Sequence, residues 1–195
     1  MLKDTIISNR STRGYDHSRT PSREELLDMV DCARLSPASM NVQSLKYLIV
    51  TDENQVAVIR KGTVLGGRLK ERHLPDLGKE PPAYIVILKD QEIQLPENFV
   101  NMDVGIAAEA ITLSATEKGY NGCMLGSFNP VALAEALNIP DRYLIKLVIA
   151  IGKSAEEIHL VDIAEGESIG YYRDENDVHY VPKRKLQDIV LEDMK

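Results

Sequence analysis

The sequence predicts a single domain of mixed helix and strand. Three observations carry this. Its 195 residues match one typical domain, capped helical stretches alternate with short apolar runs, and no repeat, low-complexity tract or linker divides them. A hydrophobic content of 44% supplies a sizeable core, and 27% charged residues without long like-charge blocks exclude a disordered chain.

The elements follow in order. Met1 to Ile7 lacks the apolar segment of a signal peptide, and no apolar stretch approaches the roughly 20 residues that cross a bilayer. No membrane partner and a cytoplasmic address are therefore expected. Thr20-Pro21 offers a cap and a first-turn proline, and Leu26, Val30 and Ala33 recur at helical spacing, which predicts a helix over 21–35 ended by Ser36-Pro37. Tyr47 to Val50 reads as a buried strand ended by Thr51-Asp52. Asp52 with Gln55 opens a helix reaching about Val64, where Gly66-Gly67 stops it. Residues 66–82, with glycines and three prolines, read as a loop or lid before a strand at Tyr84 to Leu88.

From Asp103 to Lys118, apolar and small side chains at 104, 107, 108, 111, 113 and 115 cover most of the circumference, predicting a buried central helix that ends at Gly119. Asn129-Pro130 opens a further helix that Asn138 to Pro140 ends. Leu144 to Ile151 is the most strand-like run, closed by Gly152. About 40 residues with few periodic apolar positions follow, too long for a compact loop within one subunit. Such a tail is expected to embrace something.

Charge and motifs exclude several classes. The net charge is −7, which offers no overall footprint for a nucleic-acid partner. Residues 1–23 nevertheless carry a local +3, and Lys183-Arg184-Lys185 form a second basic knot. These read as two cationic patches able to clamp one small anion, or as solvated surface. Cys32 and Cys123 lie far apart in apolar context and read as buried thiols; four scattered histidines read as surface residues and hold no metal pattern. There is no phosphate loop, no GxGxxG and no GxSxG elbow. Gly119, Gly122 and Gly126 read either as a helix stop followed by turns or as a close approach to a ligand.

Three segments taken together resemble the nitroreductase family of flavin enzymes. They are Asn9-Arg10-Ser11-Thr12-Arg13, Ser36-Pro37-Ala38-Ser39-Met40-Asn41-Val42-Gln43, and Asp103-Val104-Gly105-Ile106-Ala107-Ala108 with Gly119 to Phe128. Order and spacing match, and the resemblance runs from about residue 6 to 190, through Leu137-Asn138-Ile139-Pro140 and Ile151-Gly152-Lys153. It implies an α+β fold: a central mixed or antiparallel sheet flanked by helices, in one FMN-binding domain over 1–195. It also implies a homodimer with FMN at the subunit interface, in which residues 153–195 form a tail that wraps the partner subunit.

The resemblance also implies roles. Arg10, with Lys183 and Lys185, would neutralise the FMN phosphate, because a dianion drawn partly from water needs charge-assisted donors. Arg184 stands on the other side of an extended segment and is held in reserve. Asn9 replaces the arginine that opens the family pattern, so Arg10, Ser11 and Arg13 are the residues carried over. Arg13 would stand near the N1 and O2 edge of the flavin, favouring the reduced ring. Pro37, Ala38, Ser39, Asn41 and Gln43 would reach the flavin of the neighbouring subunit; Ser44-Leu45 replaces the family's Pro-Trp. Leu125 and Gly126 would pass the backbone along the flavin, with an N–H at or near Gly126 donating to N5.

No protein nucleophile is implied. NADH or NADPH would pass hydride to N5 and leave before a planar nitroaromatic or quinone acceptor enters, a ping-pong cycle. Other readings are a non-turnover flavin sensor or carrier, and a specialised member of the superfamily such as a dehalogenase or flavin destructase.

Overall fold

The structure is a computed structural model that describes residues 1–67 and 74–191. It divides into two units, Met1–Ala155 and Glu156–Lys195. In the first unit, helix α1 (Leu2–Ser8) and helix α2 (Arg23–Leu35) precede a 3-10 turn at Ser39–Asn41 and strand β1 (Leu45–Val50). Helix α3 (Glu53–Gly62), strand β2 (Ala83–Asp90), helix α4 (Glu97–Glu117), strand β3 (Asn121–Leu125), helix α5 (Pro130–Ala136) and strand β4 (Tyr143–Gly152) follow. The sheet order is β1-β2-β4-β3 and every neighbouring pair is antiparallel.

Both faces of this sheet are covered. Ala83, Ile85 and Ile87 of β2, with Ile149 and Ile151 of β4, pack against α2 and α4 through Leu26, Met29, Ala107, Ala108 and Ile111. The alternate residues Tyr84, Val86 and Leu88, with Val148 and Ala150, meet Ile59 of α3, Leu133 of α5 and Tyr15. Full burial of each large aliphatic side chain contributes about 1.5–3 kcal/mol, so a strand covered twice is selected as an unbroken apolar run. That is why β2 and β4 are legible in the sequence. The resulting α+β sheet flanked by helices is the expected fold.

Several boundaries differ from the sequence reading. Helix α2 starts two residues late because Ser22 forms a capping box: its hydroxyl accepts from Glu25 N at 3.2 Å and its N–H donates to Glu25 Oε2 at 2.9 Å. Thr20-Pro21 lies outside the helix. The two other helix starts are capped where expected, by Asp52 on the N–H groups of Asn54 and Gln55 and by Asn129 on those of Val131 and Ala132. Helix α3 ends at Gly62, short of Val64, and α4 begins at Glu97, six residues before the expected Asp103, with Val100 buried in the added stretch. Helix α1 was not expected; it docks on α4 through Thr5 Oγ1 to Glu117 Oε1 at 2.8 Å and leaves Leu2, Ile6 and Ile7 exposed.

The Gly119 to Gly126 stretch is a strand rather than a series of turns. Gly119 is the helix stop, with φ +79°. Gly122 lies inside β3, where a Cβ would come within 2.9 Å of Thr112 Cγ2. Cys123 is buried as expected, whereas Cys32 is only half-buried. Residues 68–73 of the expected 66–82 loop, including His73, lie outside the described residues. Among the described residues, no helix is long and apolar enough to cross a membrane.

The second unit has a sheet of its own. Strand β5 (Ile158–Ile163) pairs in parallel with β7 (His179–Arg184), and the two-residue β6 (Tyr172–Arg173) pairs with β7 antiparallel. Few aliphatic positions mark it because aromatic contacts take their place: Tyr172 stacks on Tyr180 at 5.1 Å and Tyr171 meets His179 edge-on at 5.4 Å. His179 is therefore buried, against the expectation of a surface histidine.

Candidate functional site

Residues 9–16 follow α1 and are tied to the ends of β3 and β4. Thr12 N donates to Gly122 O at 3.3 Å, and its hydroxyl shares a 2.8 Å bond with Ser154 Oγ. The Tyr15 hydroxyl donates to Thr12 O at 3.1 Å, and Asp16 N donates to Lys153 O at 2.9 Å. Asn9 spends its amide on Thr112 Oγ1 at 3.0 Å and Glu109 Oε1 at 3.4 Å of α4, so it acts as an anchor for the segment.

Within this clamp, Arg10 is half-buried. One of its terminal nitrogens donates to Ile6 O at 2.7 Å, while its Nε is buried with no acceptor among the described residues. Burial pulls the Arg10 pKa below the usual arginine value, and the nearby Glu109 charge opposes that shift. Ser11 is exposed. Arg13 donates to Ser11 O at 3.2 Å, and a methyl placed on Gly66 would stand 3.4 Å from Arg13 Cδ.

Lys153 also pairs with Asp16 at 2.6 Å; that bond, with the N–H and hydroxyl of Ser18, holds the Asp16 carboxyl down at about 2. A carboxyl depressed by folding stabilises above its unfolded value and ceases to do so as pH falls through its folded one. The Asp16 contribution is thus complete above about pH 4 and lost below about 2. Melting curves of wild type and Asp16→Asn should show a Tm gap at neutral pH that closes across this window. A gap undiminished at pH 2 would exclude the assignment.

Segment 63–66 connects Arg13 to the end of β3. Thr63 bridges Phe128, and Val64 N donates to Ser127 O at 3.1 Å. Leu125 is the buried last residue of β3, opposite Val148, and Gly126 follows it exposed, with nothing within 4 Å of a Cβ built there. Unlike Gly119 and Gly122, Gly126 is required neither by its φ nor by internal packing. The Arg10–Arg13 segment, bonded at Gly122, thus lies along one edge strand, β3, with Leu125 and Gly126 at that strand's far end.

Pro37, Ala38, Ser39, Asn41 and Gln43 lie at the opposite edge, before β1. Leu45 registers with Lys89 on β2, whereas Gly122 registers through Ile151 with Ala83, at the other end of β2. Three strand spacings and six residues along the strand place the arginine segment, bonded at Gly122, on the order of 25 Å from the loop, whereas Gly126, which follows the Leu125–Val148–Val86–Leu48 register, is separated from it chiefly by the three strand spacings. Pro37, Ala38 and Gln43 help line a cleft of about 340 Å³ between α2, α4 and β1, together with Tyr47, Asp103 and Ile106. Burial, and then the Asp103 charge, push the Tyr47 phenol up to about 12, so it remains neutral. Met40, Leu35, Met102 and Ile106 around this cleft are exposed.

Lys183 and Lys185, like Arg184, are exposed on the second unit, at and just beyond the end of β7. Sequence reasoning assigned no role to Asp103, Tyr15 or the 63–66 segment. Of these, only Asp103 carries a local signal, a carboxylate on an otherwise apolar helix face.

The profile of the nitroreductase family matches residues 6–153. An oxygen-insensitive NADPH nitroreductase of Helicobacter acinonychis (strain Sheeba) is 26% identical over 186 residues, taking in 80% of this chain and 88% of that protein. An FMN-dependent nitroreductase from Clostridium difficile R20291 superposes with a TM-score of 0.60 at 26% identity, covering 78% of this chain and 87% of its own. A structure from Exiguobacterium sibiricum 255-15, determined in complex with FMN, superposes at 0.67 with 19% identity over 80% and 89% of the two chains. The last likeness shows the fold alone. With the profile spanning well over half its length, and with the expected motif segments placed at two edges of the expected sheet, this chain belongs to the nitroreductase family.

Proposed function

We propose that this chain is an FMN-dependent oxidoreductase that draws on NADH or NADPH, reduces nitroaromatic or quinone-type acceptors by ping-pong turnover, and works as a homodimer. The observation that carries the reading is the placement of Arg10, Arg13 and Gly126, from distant parts of the chain, along the edge strand β3. The buried Nε of Arg10, which has no acceptor among the described residues, fits an anionic group, and open space beside the exposed Gly126 fits the close approach of a flat ring. The nitroreductase names of the relatives and the FMN bound by one structural neighbour support it.

FMN would supply the hydride chemistry. The chain's residues then bind and tune. Arg10, with Lys183 and Lys185, would neutralise the phosphate. Arg13 would hold a positive charge at the pyrimidine edge, and the Gly126 N–H would donate to N5. The 37–43 loop, about 25 Å from the arginine segment of its own chain, would complete the pocket of the partner subunit. Exposed apolar side chains on α1, on α4 and around the loop supply surface for that interface, and the second unit embraces the partner.

The test is reconstitution with FMN followed by NADH or NADPH oxidation with menadione or a nitrofuran. A yellow dimer with an acceptor-dependent rate is expected. A protein that takes up no FMN would overturn the reading, and bound flavin without turnover would make the chain a carrier. In the same preparation, Arg13→Ala should lower the flavin midpoint potential and slow reduction by NAD(P)H. An unchanged potential by redox titration would remove that role from Arg13.

A further inference from the structure

We propose that Asp103 and Ser39 form a clamp that sets the 37–43 loop in its ligand-ready shape, with Asp103 a positioning residue that touches no cofactor. The proposal rests on the flavin reading of that loop. Asp103 projects from α4 among Val104, Ala107 and Ala108, and only 3% of it is exposed. Its Oδ1 accepts both from Ser39 N at 2.8 Å and from the Ser39 hydroxyl at 2.7 Å. Its Oδ2 is buried with no partner among the described residues, so these two bonds are what offset the cost of placing a carboxylate there. Both of them come from a single loop residue.

Two consequences follow. The Ser39 hydroxyl has one proton and Asp103 takes it, so toward a ligand Ser39 can only accept. The donors this loop offers must then come from its backbone and from Asn41 and Gln43. Immediately after the clamp, Met40, Asn41 and Gln43 have φ of 50°, 54° and 53°, three side-chain-bearing residues in the left-handed region within four positions. A backbone so disfavoured persists only where its surroundings enforce it. The enforcement is at both ends: Ser39 on Asp103 before the turn, and Ser44 O accepting from Asp90 N at 2.9 Å after it. Asp90 is itself held by Arg142 through bonds of 2.9 and 2.6 Å. Releasing the first clamp allows the left-handed residues to relax, and a ligand then binds only the fraction of molecules still arranged to receive it.

Amide hydrogen exchange over residues 39–43 in the FMN-free protein, and FMN dissociation constants from fluorescence titration, test this on wild type, Ser39→Ala, Asp103→Ala and Asp103→Asn. Exchange at least tenfold faster in Ser39→Ala and Asp103→Ala is expected, with Kd for FMN raised at least tenfold. Asp103→Asn, which keeps an Oδ1 acceptor, should recover most of both. Unchanged exchange in Asp103→Ala would overturn the clamp. So would weaker FMN binding in Ser39→Ala but not in Asp103→Ala, which would make Ser39 a direct contact. If Asp103→Ala does not fold, Ser39→Ala and Asp103→Asn decide the matter, since the first removes only a hydroxyl and the second keeps the Oδ1 acceptor while replacing the unpartnered Oδ2 by an amide NH2. A wild type with a protected loop and no FMN uptake would instead sink the flavin reading, and the ligand half of this proposal with it.

Discussion

Gly152→Ala is expected to destabilise the protein by about 1–3 kcal/mol, as overpacking of a close-packed interior does. For a chain of this length that lowers Tm by roughly 2–12 °C. Gly152 closes β4 opposite Asn121, and a Cβ there would meet Tyr15 Cδ1 at 2.7 Å and Pro82 Cδ and Cγ at 2.8 and 2.9 Å. Neither neighbour yields easily. Tyr15 is fully buried with its hydroxyl on Thr12 O, and the proline ring is rigid. The displaced tyrosine carries with it the segment that presents Arg10 and Arg13, so FMN affinity should fall together with stability. Differential scanning calorimetry with and without FMN separates the two effects. A variant with wild-type Tm and wild-type FMN uptake would mean that the packing around Gly152 is looser than the structure shows.

Arg10→Ala should weaken FMN binding about 10- to 150-fold, the equivalent of the 1.5–3 kcal/mol attributed to one hydrogen bond involving a charged group. The guanidinium is half-buried, and its Nε faces no acceptor among the described residues, so a phosphate would meet little competition. Lys183→Ala with Lys185→Ala should cost a similar factor for each lost charge-assisted bond. If the three cations neutralise the same phosphate, their losses must be non-additive. A double-mutant cycle should then show a coupling of about 0.5–3 kcal/mol. Additive losses would place the tail lysines at a different site, and no loss from the lysine pair would return them to solvated surface.

Local physics explains which parts of the fold were legible. Asp52 and Asn129 cap their helices through bonds to amides two or three residues away, and such bonds are written into adjacent letters of the sequence. Strand β3 was not legible: Gly122 reads as a turn until Thr112 is known to press against it. The buried aromatic packing of the second unit was hidden for the same reason. Tyr172 and Tyr180 form a pair only once β6 and β7 are in register. The capping choice at α2 was a near miss, decided when Glu25 reached back to Ser22 rather than leaving Thr20-Pro21 to begin the helix.

The sequence by itself determined the capped helices, the two doubly covered apolar strands, the family, and the residues around which a cofactor site was to be sought. Only the tertiary structure decided that Arg13 stands beside Gly66, that Asn9 is an anchor, and that Asp103 holds Ser39. It also decided that the 37–43 loop lies across the sheet from the arginines of its own chain. The physical reason is range. Caps and periodicity act over a few residues, whereas the order β1-β2-β4-β3 is chosen by the need to bury both faces of one sheet at once, and that order alone sets which distant side chains meet.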